Sequence, residues 1–300
     1  MAGTESRRPA GLTYPDYPGL YQSADQASLQ GQRVYLRAVR ARLLLTVAAA
    51  VTAALTLAAG PERVDLAAVA TALLFVGALA VDTLVLQRQP DRSWYTGRAL
   101  AESVKTLSWR YAVGGAPFGL QLPPDEADSA FVERLSALRR DLASVQLPPT
   151  RAAVISDRLR ELRASPPDVR RRAYLADRIG DQQDWYADRS EFHHRQARRY
   201  GAVVLALEVA GVACALAKAA GFVDVDLAGI AAAMVAAFAA WSATRQHSTT
   251  ASAYALATHE LGLVRERLRR DSAEADWSAG VADAEAAISR EHSTWRSSHG

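Results

Sequence analysis

The sequence predicts an all-α integral membrane protein, with two transmembrane helical hairpins, four membrane helices in all, and a cytoplasmic helical bundle. Three observations predict it. Alanine-rich apolar stretches occur at Leu43–Pro61, Leu66–Leu86, Tyr200–Phe222 and Leu227–Thr244, in two close pairs. Leu43–Pro61 holds no charged residue in nineteen positions, a length that nearly crosses a bilayer core of about 30 Å at about 1.5 Å per helical residue. Hydrophobic residues make up 50% of the chain, yet mean hydropathy is only −0.06, so apolar and polar stretches are segregated.

Topology follows from the arginines. Only Lys105 and Lys218 are lysines, which leaves 33 of the 35 basic side chains as arginine. Arg33, Arg37, Arg40 and Arg42 precede the first hairpin, and Arg88, Arg92 and Arg98 follow it. Arg189, Arg195, Arg198 and Arg199 precede the second, and Arg245 follows it. The tips, Gly60–Asp65 and Gly221–Asp226, hold one arginine and four acids. Basic residues stay on the cytoplasmic side of membrane helices, so the expected location is the cytoplasmic (inner) membrane, multi-pass, with both termini cytoplasmic. Met1–Gln32 is polar and shows no signal peptide, so the first hairpin is expected to act as an uncleaved anchor. The single cysteine, Cys214, allows no internal disulfide and no cysteine-rich zinc site.

Nothing in the polar parts reads as a β-sheet. Gln22–Arg42 reads as a helix running unbroken into the first apolar segment. Beyond Pro90 a helix is expected from Asp91 or Ser93, either a competent cap, to about Gly114. Asp125–Val145 reads as a helix with Phe131, Leu135, Leu138 and Leu142 on one stripe. Pro148-Pro149 stops it, and Thr150 is placed to cap a short helix to Ala164. After Ser165-Pro-Pro-Asp168 a long helix leads through Tyr174 and Ile179 into the third apolar segment. A helix to about Arg270 follows Arg245, and a last one repeats Trp277, Val281, Ala284, Ile288 and Trp295. The halves also echo one another: Arg98-Ala-Leu-Ala101 and Tyr254-Ala-Leu-Ala257 each follow a hairpin at an offset of 156 residues, which suggests a duplicated two-helix unit.

The densest candidate segment is Trp94–Tyr111. Tyr95, Arg98, Glu102, Lys105 and Trp109 share one helical stripe, and Arg98–Glu102 and Glu102–Lys105 are spaced for local ion pairs. Leu100, Val104, Leu107 and Tyr111 form an apolar stripe beside it. The charged stripe is either a solvated bundle face or a polar network packed on the helix before the hairpin. The pattern Trp94-Tyr-x-x-Arg98-Ala-x-Ala-Glu102-Ser-x-Lys105-Thr-x-x-Trp109-Arg110-Tyr111, with Pro117-Phe118 and the upstream Leu20-Tyr21-x-x-Ala24-Asp25-x-x-Ser28, resembles SLATT domains, the SMODS- and SLOG-associating two-transmembrane effector domains. Arg178-Ile-x-Asp181-Gln182-x-x-Trp185-Tyr186 and Glu291-His-x-x-Trp295 resemble a second copy, which lacks the Trp-Arg-Tyr segment. The expected division is a first SLATT-like unit at 17–120, a cytoplasmic helical linker at 121–167 and a second unit at 168–300. The resemblance implies a pore-forming or membrane-disrupting effector of bacterial conflict systems that make or sense nucleotide signals, and it supplies no catalytic residues. Trp94, Tyr95, Arg98, Glu102, Lys105, Trp109, Arg110 and Tyr111 are its coupling motif in this chain.

Two ionisable residues fall inside the apolar segments, where charge is costly unless it faces a partner or water. Asp82 and Glu208 both lie roughly 7–12 Å from the cytoplasmic end at about 1.5 Å per residue. They either meet, ring a pore on assembly and favour cations, or, for Asp82, merely reach back to the helix end. Lys218 is expected at the outer interface. His193 and His194 point about 100° apart on a helix and read as solvated, so no metal site is expected. No phosphate-binding loop or hydrolase motif is present, so neither catalytic residues nor a cofactor is expected.

The leading functional expectation is a homo-oligomeric effector that opens a pore or leak in the bilayer. A nucleotide-synthesising or nucleotide-sensing partner protein would supply its signal, and the net charge of +3 does not single out nucleic acid. The alternative is a non-conducting scaffold docking a cytoplasmic partner through the Phe131–Leu142 and Trp277–Trp295 stripes. A small transporter is the weakest option, since two hairpins with few polar groups make a poor substrate site.

Overall fold

The computed structural model describes residues 11–55, 58–59, 64–141, 146–270 and 273–297. Among the described residues the protein is all-α apart from one small ladder, β1 (Ala58–Ala59) antiparallel to β2 (Val64–Asp65), which the sequence did not signal. The helices are α1 (Gly19–Ala53), α2 (Leu66–Leu84), α3 (Pro90–Val113), α4 (Pro124–Asp141), α5 (Asp157–Ala164), α6 (Pro167–Ala173), α7 (Asp181–Ala219), α8 (Leu227–Arg245), α9 (His247–Arg270) and α10 (Glu274–Ser297). Between α6 and α7 the chain stays helical through a π segment, Tyr174–Gly180.

Among the described residues, three stretches carry a helix long and apolar enough to cross a membrane: Leu66–Val113, Pro167–Ala219 and Leu227–Arg270. The first predicted segment is not among them. Helix α1 does run unbroken from its polar part, but it ends at Ala53, and the eleven helical residues from 43 to 53 span only about 16 Å. The Thr52 hydroxyl bonds back to the Ala48 and Ala49 carbonyls at 3.2 and 3.1 Å and meets the Thr71 hydroxyl at 2.8 Å. The Leu55 amide tightens onto Thr52 O at 3.2 Å. Residues 56, 57, 60 and 61 of the predicted segment lie outside the described ones.

The two later hairpin helices are built alike. The Asp65 carboxylate caps α2 by accepting the Ala67 and Ala68 amides at 3.0 and 3.3 Å, and Asp226 caps α8 through Gly229 N at 3.3 Å. Gln89 and Gln246, 157 residues apart, close the exits with left-handed backbones (φ 51° and 44°). The next helix starts at once in each case. Helix α3 starts at Pro90, ahead of the expected Asp91 or Ser93, because proline suits the first helical position. It ends in Gly114 at φ 74°, with Gly115 N bonded to Arg110 O at 2.8 Å, a turn that favours glycine.

Thr150 does not cap a helix. Its hydroxyl accepts Ala152 N at 3.1 Å, and the chain stays non-helical, with bends, until Ser156 caps α5 through Leu159 N at 3.3 Å. The start of α1 holds that stretch: Gly19 N bonds to Ala153 O at 3.0 Å, and a Cβ at Gly19 would sit 2.8 Å from Thr150.

The chain divides into two compact units. The polar unit comprises the described parts of residues 1–31, 92–189 and 253–300, and the apolar unit comprises residues 32–91 and 190–252. Aromatic rings fill the polar core. Trp109 and Trp277 both pack edge-on against Tyr174, with ring centroids 5.8 Å apart, and Phe131 lies 4.9 Å from Tyr111. Leu100, Val104, Phe131, Leu135, Leu159, Leu162, Val281, Ala284 and Ile288 are buried with them. In the apolar unit large side chains face outward, with Leu73, Val76 and Leu79 about as exposed as Leu205, Val209 and Val212. Such a surface suits lipid and not water.

Candidate functional site

Helix α10 places Glu285 four residues after Val281 and three before Ile288, and therefore on its buried face. The carboxylate is 0% exposed and faces Arg178, 1% exposed, from the π segment. Arg178 Nε donates to Oε1 at 2.9 Å and Nη2 to Oε2 at 2.7 Å, a two-pronged contact. Tyr174 Oη donates to Oε1 at 3.0 Å and Thr106 Oγ1 to Oε2 at 2.8 Å. Burial alone would lower Arg178, but the Glu285 charge and its hydrogen bonds outweigh it and hold the guanidinium above its ordinary value. Burial pushes the Tyr174 hydroxyl well up, so it remains a neutral donor. Removing one partner of such a pair leaves a bare charge in the core, at a cost of about 3–5 kcal/mol.

Widening of a helix to the π form commonly marks a functional position. Here it carries both Tyr174 and Arg178 to the same carboxylate. A second tie lies beside it: Trp109 Nε1 donates to Tyr17 Oη at 2.9 Å, and burial raises the Tyr17 hydroxyl. Arg110 Nη2 donates to Ala282 O at 2.7 Å, and Trp277 Nε1 to Val113 O at 3.0 Å. Tyr111 donates to Asp128, which also accepts Arg160 Nε at 2.9 Å.

The motif stripe is a packed polar network and not a solvated face. Arg98 reaches Glu102 at 4.0 Å. Lys105 is half-buried; burial lowers its amine, Arg178 adds to that and Glu102 opposes it. Asp25 stands nearby on α1, where burial and the Glu102 charge push its carboxyl up against Arg98 and Lys105. Trp94 stacks on Tyr95 at 4.8 Å, and its carbonyl accepts Ser28 Oγ at 3.0 Å. All eight motif residues thus share one helix, with Trp109 and Tyr111 in the core and Trp94 and Tyr95 nearer its surface.

Within the apolar unit, Asp82 pairs with Arg42 at 3.2 Å, both about two-fifths exposed. Glu208 is exposed and forms no ion pair or hydrogen bond among the described residues; Leu205, Val209 and Val212 around it are equally exposed. Lys218 pairs with Asp226 at the hairpin tip at 3.5 Å. His193 is not solvated as expected, because its Nδ1 lies 2.8 Å from His247 Nδ1, which α9 brings beside α7. Among the described residues, no three His, Cys, Asp or Glu side chains gather where they could hold a metal.

Sequence reasoning missed Glu285, Thr106, Tyr17 and Tyr174 as network members. Glu285 left a signal, a carboxylate in phase with an apolar stripe. The stripes read as docking surfaces are internal: Phe131, Leu135, Trp277, Val281, Ala284 and Ile288 are buried in the polar core. Leu142 and the Trp295 side chain lie outside the description.

Fold and network define an all-α protein whose long apolar helices mark it for a membrane. The family described as SMODS and SLOG-associating 2TM effector domain 3 matches residues 18–171, and SMODS and SLOG-associating 2TM effector domain 1 matches residues 174–295. The chain belongs to this SLATT family, in two copies, and is a membrane effector. No curated protein and no solved structure matches it. Thr106 belongs to the first match and Tyr174, Arg178 and Glu285 to the second, so the buried network ties the two copies together within the polar unit.

Proposed function

We propose that this chain is an effector of a bacterial conflict system that assembles into homo-oligomers and opens a leak in the cytoplasmic membrane. In this reading both hairpins cross the bilayer, both termini are cytoplasmic, and the polar unit is a cytoplasmic bundle that receives a nucleotide-type signal from a synthesising or sensing partner protein. One observation carries the reading: Glu208 is exposed without a partner among lipid-facing side chains of a helix apolar enough to span. An intramembrane carboxylate is too costly to leave in hydrocarbon, so other copies of the chain and water would have to surround it. A ring of such carboxylates favours cations. Asp82 is the lesser candidate, because Arg42 already balances its charge.

The test is membrane potential, read with a voltage-sensitive dye in cells induced to make wild type or Glu208→Ala. Wild type is expected to depolarise the cells, and the variant to do so several-fold more slowly at equal insertion. Equal depolarisation by both would remove Glu208 from the conducting path. An undisturbed potential with wild type fully inserted and a nucleotide-synthesising or nucleotide-sensing protein co-expressed would sink the leak itself.

A further inference from the structure

Residues 32–55, 192–207 and 227–252 of the apolar unit contain no aspartate or glutamate, yet together they carry eight arginines. Asp82 offsets Arg42, and Glu191 offsets Arg195. Arg37, Arg40, Arg198 and Arg199 are exposed and form no ion pair among the described residues. The charge has a focus at Trp241, one turn before the end of α8. Its ring has the Arg40 guanidinium at 5.1 Å and the Arg245 guanidinium at 5.9 Å. Its Nε1 donates to Tyr200 Oη at 3.1 Å, and Arg198 and Arg199 directly precede that tyrosine. Two guanidiniums held around one indole repel each other, and an anion between them relieves the repulsion.

We propose that this cluster seats the phosphate of an anionic phospholipid headgroup, held by Arg40 and Arg245 beside Trp241, with Arg198 and Arg199 at the rim. Charge complementarity chooses the class of ligand, because a guanidinium fork matches phosphate oxygens in pairs. The surroundings choose the source. Tryptophan and tyrosine at the end of an apolar segment mark headgroup depth, and the outward side chains next along α7 are Val203 and Leu205. A lipid phosphate is delivered to that level, while a soluble anion has to leave water to reach it. This seat is independent of whether the protein conducts.

The test uses the full chain reconstituted in phosphatidylcholine vesicles with a minor fraction of either brominated phosphatidylglycerol or brominated phosphatidylcholine. The Trp241 signal is the fluorescence of wild type minus that of Trp241→Phe. Quenching by the brominated phosphatidylglycerol is expected to be the stronger. Arg40→Gln and Arg245→Gln are each expected to weaken that preference about fivefold, while Arg40→Lys and Arg245→Lys, which keep the charge, retain most of it. Retention in the lysine variants separates headgroup binding from damage to the fold. Equal quenching by the two lipids would overturn the proposal, as would a preference that survives both glutamine substitutions together. Relief of the quenching by inorganic phosphate would reassign the seat to a soluble anion.

Discussion

Asp25 carries its charge where the fold disfavours one. Burial and the nearby Glu102 raise its carboxyl above the ordinary value of 3.8, against the pull of Arg98 and Lys105. The folded chain therefore holds this proton more tightly than the unfolded chain does. Stability falls as pH rises from 3.8 through the raised value, and the cost persists at neutral pH. Asp25→Asn is expected to raise the thermal midpoint of the detergent-solubilised chain at neutral pH, and to change nothing below the ordinary aspartate value, where both side chains are neutral. The same gain at both pH values would assign the effect to packing and not to charge. Residues of this network were legible only in part. Glu102 shows its helix neighbours Arg98 and Lys105 by spacing, but Asp25 lies 77 positions earlier, and no periodicity connects them. Arg42 and Asp82 were each visible as helix-end charges, and their pairing across the hairpin was not.

At the scale of elements, periodicity reached the helices and missed what tertiary contact decides. The α3 apolar stripe, the Gly114 exit and the continuity of α6 into α7 follow from pattern and punctuation, because each is set within a few residues. Helix α5 starts at its own local cap, Ser156, six residues beyond Thr150, whereas Thr52, in the last turn of α1, meets Thr71 of another helix, a contact that no local pattern shows. The crossing of α1 and α3 has the same character. A Cβ on Gly97 would lie 3.0 Å from Ala24 O and Ser28 N and 3.2 Å from Ser28 Cα, all backbone atoms of α1 that cannot swing aside. Ser28 Oγ bonds to Trp94 O at this crossing. Gly97→Val is expected to destabilise the chain by about 1–3 kcal/mol through overpacking. Gly201→Ala, whose Cβ meets nothing within 4 Å, is the matched control and is expected to cost nothing. Thermal unfolding in one detergent compares the two, and a harmless Gly97→Val would mean that the helices separate freely.

At the scale of the whole molecule, the repeat in the sequence is not the unit of folding. The family matches divide the chain at about residue 172, but the polar unit draws on both sides of that division. Trp109, Tyr111, Phe131 and Leu159 come from the first copy and Tyr174, Trp277, Val281 and Ile288 from the second, all in one core. The duplication was legible because hairpins and flanking motifs recur at a fixed offset. The interlocking was not, because it rests on side chains such as Thr106 and Glu285, 179 positions apart. A core shared in this way cannot close from one copy alone, since the first half would leave Trp109 and Tyr111 uncovered, and the second would leave Tyr174, Trp277 and the Arg178–Glu285 pair in water. The chain cut after Ser165 is therefore expected to give fragments that aggregate or are degraded when made singly, and a stable complex when made together. Glu285→Ala in the second fragment is expected to abolish that complex, because Arg178 would be left as an uncompensated buried charge. Co-purification through a tag on one fragment reads the result. A first fragment that is stable and membrane-inserted by itself would show that the first copy folds alone, and would reduce the Thr106–Glu285 bond to a contact between finished domains.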